Sequence, residues 1–205
     1  MMANVNSHRE DAMPTPTRIT PESLHAAAAE ILERDGRDGL TMQAVATALG
    51  VRAPSLYKHV RDREHLVRTV ADGVARELGD RVDAAVAATT DAPSAARAIA
   101  AAARRFAHER PNGYALVFGP LPESERADRA ALDRASAAVM EVARRLAGEE
   151  HALDAARTLT AWMHGFTAME LAGAFRLGGD LDRAWEFGME HLLVGLSGGS
   201  AVPGR

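Results

Sequence analysis

Between Leu66 and Val86 an apolar residue recurs at every fourth position: Leu66, Val70, Val74, Leu78, Val82 and Val86. Such spacing gathers side chains on one face of an α-helix, whereas a strand would sort them by alternate residues. With Asp62 as its cap, the pattern predicts a helix running to about residue 89, roughly 42 Å long at the standard rise. Gly73 and Gly79 fall inside it and permit a bend. A rod of that length can join two domains. The composition agrees with a helical chain. Apolar residues make up 47% of the 205 residues and aromatics only 4%, with alanine dominating the apolar set. Alanine is the best helix former and buries little surface, so closely packed helices, an all-α fold, are expected rather than sheets. The length allows one large domain or a small one joined to a larger one.

Residues 1–18 hold Pro14 and Pro16, few large apolar groups and no periodicity, and read as a disordered arm. A first helix starts at Thr20, a good N-cap, with Pro21 in the first helical position, and ends at Gly36 or Gly39. A second starts after Thr41 and stops at Gly50, with Met42, Val45, Ala46 and Leu49 on one face. A third follows at once with Pro54 in its first turn, Leu56 and Val60 facing inward. Beyond the long helix, "TTDAPSA" is a break, and helices are expected over about 94–110, 123–148, 153–177 and 181–196. The stretch "PNGYALVFGPLP" reads as irregular or as a short helix. The division expected is an arm (1–18), a helix-turn-helix domain (19–66), a helical ligand-binding and dimerisation domain (67–197) and a frayed tail (198–205).

There is no cysteine, so disulfides and thiolate metal sites are excluded. No apolar stretch reaches transmembrane length, and the N-terminus lacks a signal-peptide core, which points to a cytoplasmic protein with no membrane partner. The net charge is -4. That argues against general coating of nucleic acid but leaves room for a local basic face. One exists. Between Arg52 and Arg68 stand Arg52, Lys58, Arg61, Arg63 and Arg68 against Asp62 and Glu64, and Lys58 is the chain's single lysine.

A major-groove reader needs a helix whose first turns meet base edges, a second helix to brace it, and donors for phosphates. Residues 41–66, "TMQAVATALGVRAPSLYKHVRDREHL", offer all three. Ser55, Tyr57, Lys58 and His59 fall on the outward first turns of the third helix. Thr41, at a helix start, can offer its hydroxyl and backbone N–H to a phosphate, and Arg63 opens the next helix. The same residues also suit the solvated face of a small three-helix bundle. "GLTMQAVATALGVRAPSLYKHVRDREHL" resembles the DNA-binding segment of the TetR family of bacterial transcription repressors. Gly39, Thr41, Leu49, Gly50, Val51, Leu56, Tyr57, His59 and Leu66 match in register; Val60 stands where phenylalanine is commoner. The resemblance implies that Thr41, Tyr57, His59 and Arg63 touch phosphates. It implies that Arg52, Ala53, Pro54, Ser55 and Lys58 meet bases or vary with the operator, Pro54 being suited to a thymine methyl. Arg18 in the arm could enter a minor groove or serve only as a solubilising charge.

The segment "TLTAWMHGFTAMELAGAF", residues 158–175, is apolar on nearly every side and must be covered all round, by its own core, a second subunit or an apolar ligand. It resembles the Trp-His-Gly type of C-terminal regulatory domain in that family, through Trp162, His164 and Gly165 with Met163 between. In such repressors the last two helices pair with their copies in a second subunit. That implies a homodimer whose interface includes Ala161, Gly165, Ala168 and Ala172, with Leu192, Leu193 and Leu196. The alternative is a monomeric bundle. Bulky residues near helix breaks or on the crowded helix are candidates for lining an effector cavity: Phe106, Tyr114, Phe118, Met140, Trp162, Phe166 and Met169. His164 in an apolar helix suits a satisfied core histidine, with Thr160 one turn away as partner, or a ligand contact. Glu170 is either a buried, paired carboxylate or a rim residue. His108, His164 and His191 show no ligand spacing, so neither metal nor cofactor is expected.

The reading is a sequence-specific regulator, a repressor released from a palindromic double-stranded DNA operator by a small-molecule effector. A constitutive DNA-binding dimer with a collapsed cavity is a second reading. An enzyme with an accessory helix-turn-helix is a third, but no nucleophile elbow, P-loop or dinucleotide fingerprint supports it, and Glu149/Glu150 and Asp180/Asp182 look like turn and cap residues.

Overall fold

A computed structural model of the chain describes residues 19–198. The expected arm, Arg18 included, and the tail beyond residue 198 lie outside the described residues. Among the described residues every regular element is helical. They are α1 (Pro21–Gly39), α2 (Met42–Ala48), α3 (Ala53–Leu56), α4 (Arg63–Ala87), α5 (Ala92–Glu109), α6 (Pro111–Phe118), a 3-10 turn (Glu123–Glu125), α7 (Arg129–Ala147), α8 (Ala152–Leu171) and α9 (Leu181–Ser197).

The caps expected from side-chain chemistry form. Thr20 and Ser23 exchange side-chain and backbone hydrogen bonds at the start of α1. The Thr41 hydroxyl accepts from the Ala44 N–H at 3.1 Å, and the Asp62 carboxylate from the His65 N–H at 2.8 Å. Each cap satisfies a donor that a helix start leaves without an intrahelical acceptor. The long helix α4 runs through Gly73 and Gly79 without a break. Those glycines serve close packing instead: a Cβ at 73 would collide with the His25 ring, and one at 79 would sit 3.0 Å from the Ala135 Cα.

At four stretches the structure corrects or decides a sequence expectation. First, α3 is one turn long, and Tyr57, Lys58 and His59 lie in the turn that follows it; the His59 and Val60 N–H groups both return to the Leu56 carbonyl, at 2.8 and 2.9 Å. Second, of the two readings for the stretch after α5, irregular or a short helix, residues 111–118 take the short helix, opened by Pro111. Third, the helix expected over 123–148 begins only at Arg129. Arg68 on α4 donates to the carbonyls of Glu123 and Ser124, and the Asp72 carboxylate accepts the Asp128 N–H at 2.7 Å, so backbone groups that would propagate a helix are spent on α4. Fourth, α8 stops at Leu171. Gly173 takes φ 61°, and the N–H groups of Gly173 and Ala174 return to the carbonyls of Glu170 and Met169, a Schellman end that favours glycine at the left-handed position.

α4 is the spine. It packs against α1, α5, α6, α7 and the 3-10 turn. One apolar core runs through both halves of the molecule, from Leu32, Leu40, Val45 and Leu56 at one end to Ile99, Phe106, Leu159 and Met189 at the other. Burying a leucine or phenylalanine fully is worth about 1.5–3 kcal/mol. This core fixes the reading helices to α4.

Candidate nucleic-acid interface and inner cavity

α2 and α3 form a compact corner. Gly50 turns the chain at φ 68°, and the Val51 N–H returns to the Ala46 carbonyl at 2.9 Å. Leu56 and Val60 are buried on the inner side, as their spacing predicts. Their burial turns Arg52, Pro54, Tyr57, Lys58 and His59 outward, all exposed, with Ala53 and Ser55 half-buried between them. Tyr57 is 56% exposed, far more than a core tyrosine would be. The side chains of Arg52, Lys58 and Arg61 have no ionic partner among the described residues, while Asp62 is occupied as the α4 cap. The result is an uncompensated cationic patch on an acidic chain, next to a helix start.

Two expected phosphate ligands are placed differently. The Thr41 backbone N–H donates to the Gly39 carbonyl at 2.8 Å, so at Thr41 only the exposed hydroxyl faces outward. Arg63 is turned inward. Its Nε donates to the Leu40 carbonyl at 3.0 Å, one Nη to the Arg37 carbonyl at 2.8 Å, and the other to the Glu125 carboxylate at 3.2 Å. This guanidinium holds the end of α1 and a buried acid, and has little left to offer a phosphate. Glu125 also accepts from Arg37 Nε at 2.7 Å and is 4% exposed. With Arg68 on the neighbouring carbonyls, three arginines of the N-terminal half clasp the segment between α6 and α7. Sequence reading passed over this clasp. Its partners are 88 and 62 residues apart, and no local pattern links them.

That segment joins two walls of an interior cavity. An inner chamber of about 230 Å³ lies among α4, α5, α6, α7 and α8, with Leu78, Ile99, Phe118 and Met163 in its lining. An outer chamber of about 490 Å³ lies between α7 and α8, with Met140, Leu153, Arg157 and His164 in its lining. Phe118, Ser136, Val139 and Thr160 border both. His164 is held by Tyr114 rather than by Thr160: the Tyr114 hydroxyl stands 3.2 Å from His164 Nδ1, and the Phe118 ring stacks on the imidazole at 5.1 Å. Burial pushes the Tyr114 phenol up to about 12, so it stays a neutral hydrogen-bonding group.

Of the expected lining residues, Phe118, Met140 and His164 line the outer chamber and Tyr114 backs it. The other four lie elsewhere. Phe106 is fully buried under the Arg81 guanidinium. Trp162 and Phe166 face α9, where both pack on Trp185, at 4.7 and 5.2 Å, and Phe166 also meets Phe175 of the preceding loop at 4.8 Å. Met169 is 46% exposed and borders a separate groove with Phe187. Arg104 seals this aromatic cluster. It sits 5.0 Å over the Trp185 ring and forks onto Glu170 at 2.6 and 2.8 Å, while His108 reaches the same carboxylate at 3.1 Å. Glu170 is therefore a paired, mostly buried acid, and the Arg104 guanidinium holds its carboxyl below the usual carboxylate range. His108, His164 and His191 go to different partners: His108 to Glu170, His164 to Tyr114 and His191 to the Phe187 carbonyl.

The outer face of α8 presents Ala161, Gly165 and Ala172 exposed and Ala168 half-buried. On α9 the expectation shifts by one position. Leu193 is 4% exposed and belongs to the core, and Leu192 and Leu196 pack partly against it, whereas Phe187 and Val194 stand out at 64% and 70%. Their spacing of seven is the helical signal that finds them once Trp185 and Met189 are known to face inward.

Comparison with known proteins agrees with this layout. The description "Bacterial regulatory proteins, tetR family" matches residues 24–70, and "Tetracyclin repressor-like, C-terminal domain" matches residues 96–192. The uncharacterized HTH-type transcriptional regulator Rv0681 of Mycobacterium tuberculosis is 35% identical over 161 residues, 77% of this chain and 73% of its own length. The chain belongs to the TetR family of bacterial transcriptional regulators. As a TetR-family protein it is a DNA-binding regulator, and its helix-turn-helix is the reading corner described above. The tetracycline repressor of class D from Escherichia coli is 41% identical over 54 residues, about a quarter of either chain (26% of this one, 25% of that one). Among solved structures, a protein from Rhodococcus sp. RHA1 superposes with a TM-score of 0.73 at 25% identity, covering 90% of this chain and 100% of that one. A TetR variant from Acinetobacter baumannii AYE in complex with minocycline shares the fold at a TM-score of 0.63 and 23% identity, covering 87% of this chain and 96% of that one. The description of the C-terminal match, a tetracycline-repressor-like domain, does not itself name the Trp-His-Gly type suggested by Trp162, His164 and Gly165. No helix among the described residues is long and apolar enough to cross a membrane.

Proposed function

We propose that this TetR-family regulator is a homodimeric repressor that leaves a palindromic operator when a small molecule enters the cavity of its C-terminal half. The observation that carries the reading is the clasp. The segment between α6 and α7 connects two cavity walls and is bonded to Arg37, Arg63 and Arg68, which belong to the DNA-reading half. Any molecule that wedges α6 from α7 pulls on those bonds. A coupling of about 1–3 kcal/mol, typical of allosteric proteins, loosens DNA some 5–150-fold. The minocycline complex of the A. baumannii TetR lends support, since a ligand there occupies a protein of the same fold.

On the DNA side, the exposed Arg52, Lys58 and Pro54 read base edges with Ala53 and Ser55, while the hydroxyls of Thr41 and Tyr57 and the imidazole of His59 hold phosphates. Two copies of one short reading turn are needed for useful affinity, placed in successive major grooves about 34–36 Å apart. The exposed small residues of α8 and the apolar Phe187 and Val194 of α9 supply a seam for that second copy. A single experiment tests the core of the reading: selection of bound duplexes from a random pool. The expected product is an inverted repeat, bound with strong salt dependence. Recovery of unrelated or half-length sites refutes the symmetric operator.

A further inference from the structure

The cavity's chemistry specifies a class of ligand. The inner chamber is walled by aliphatic side chains and Phe118; its charged lining residue is Asp133, at the α7 edge, where Arg129 Nε already faces that carboxylate at 3.5 Å. The outer chamber's lining includes Arg157, within one protomer an exposed guanidinium with no ionic or hydrogen-bonding partner among the described residues, one turn from Ala161 of the α8 face assigned to the second copy. Phe118, Ser136, Val139 and Thr160 stand between them. There Ser136 spends its hydroxyl proton on the Leu132 carbonyl at 2.9 Å, which leaves the Thr160 hydroxyl and the His164 ring as polar groups in the outer lining.

We infer that the two chambers take an anionic amphiphile, a carboxylic acid with an apolar hydrocarbon tail, its tail in the inner chamber and its carboxylate at Arg157. The inference rests on the reading of this cavity as the effector site. The polarity is one-directional. A tail gains by leaving water for the aliphatic chamber, and the carboxylate gains the charge-assisted hydrogen bonds that a guanidinium fork offers. A cationic amphiphile finds the reverse of what it needs, a bare guanidinium at the mouth and a carboxylate that is already paired. A neutral alcohol of equal length keeps the tail term and loses the charge term. His164, with Nδ1 on the Tyr114 hydroxyl, keeps its other ring nitrogen for the ligand's head or a water beside it.

The test uses the full-length protein and three probes of one chain length, kept below their micelle concentrations: decanoate, decanol and decylamine, titrated calorimetrically. Decanoate is expected to bind about two- to fivefold more tightly than decanol, the scale of a solvent-exposed ion pair, with decylamine weakest. Arg157→Ala is expected to bring decanoate down to the decanol level and leave decanol unchanged, and Arg157→Lys to restore part of the preference. Val139→Trp, which puts an indole where both chambers share a wall, is expected to abolish binding of both acid and alcohol in a protein whose helical spectrum and melting remain intact. Equal binding of acid and alcohol by the wild type, a preference for the amine, no binding at all, or an acid preference that survives Arg157→Ala each overturn the inference. Operator affinity is measured on the same preparations. Decanoate binding at Arg157 without any change in operator affinity refutes effector-released repression and leaves the ligand class standing. Intact operator binding with no decanoate binding does the opposite.

Discussion

At the scale of single residues, the reading turn separates two kinds of contact. Lys58 is exposed and has no ionic partner among the described residues, so Lys58→Ala is expected to relax preference at one base position per half-site. Thr41→Ala is expected to weaken all sequences alike, and it also removes a helix cap worth about 1 kcal/mol. Binding to a panel of single-base operator variants distinguishes the two patterns, with urea unfolding to account for the cap. A second residue-scale effect lies at His25. Its Nδ1 is buried without a hydrogen-bond partner among the described residues. Burial, with Arg76 adding to it, holds the imidazole below the ordinary histidine value. The unfolded chain therefore binds the proton more readily than the folded one. Stability from the neutral ring is complete above the unfolded value of about 6.5 and is lost as pH falls below it. His25→Gln is expected to flatten the fall in melting temperature between about pH 7.5 and pH 5.5 relative to wild type. Parallel slopes for the two proteins would dismiss this role. The residues of the reading turn were legible in advance because their chemistry is local and outward. Arg63 was not, because its partners are a helix end and an acid brought in from a distant segment.

At the scale of elements, the glycines of α4 and α8 make opposite predictions. Gly73→Ala adds helix propensity, worth about 1 kcal/mol, but drives a methyl into the His25 ring. Overpacking of that kind costs about 1–3 kcal/mol, so a net loss in urea unfolding is expected. At Gly165 a Cβ would meet nothing within 4 Å, so Gly165→Ala is expected to raise the stability of the isolated fold by about 1 kcal/mol. If α8 lines the dimer seam, the same change weakens the dimer, which sedimentation at falling concentration will show. The element map itself was readable where period and caps agree, as in α1, α2, α4 and α5. It failed at 123–128 and 172–177. There Arg68, Asp72 and a left-handed glycine divert backbone hydrogen bonds, and periodicity carries no information about such partners.

At the scale of the molecule, two predictions test how the halves communicate and how copies meet. Phe187→Glu paired with Val194→Glu places charge on an apolar face of α9 and touches no core residue. The double variant is expected to keep its helical content, sediment as a monomer and bind its operator far more weakly, since each half-site then acts alone. Retention of a dimer would move the seam elsewhere. Glu125→Gln keeps the shape of the clasp and removes its charge. Both arginine partners are more than a third exposed, so solvent screens much of the loss, and a cost of about 1–2 kcal/mol in urea unfolding is expected. The more telling readout is coupling. Operator affinity in the variant is expected to respond less to decanoate than in wild type, while decanoate affinity stays the same.

The sequence by itself determined the helices, their caps and the outward polarity of the reading turn. Those depend on contacts within four residues along the chain and on which side chains water tolerates. Only the tertiary structure decided which bulky groups line the cavity and which seal the core, where Arg63 spends its donors, and which positions of α9 remain uncovered. Each of those depends on the rotation of one helix against another, a quantity set by packing across the whole core. A shift of one residue along a helix turns a side chain by about 100°. That is enough to carry Leu193 inward and Val194 out.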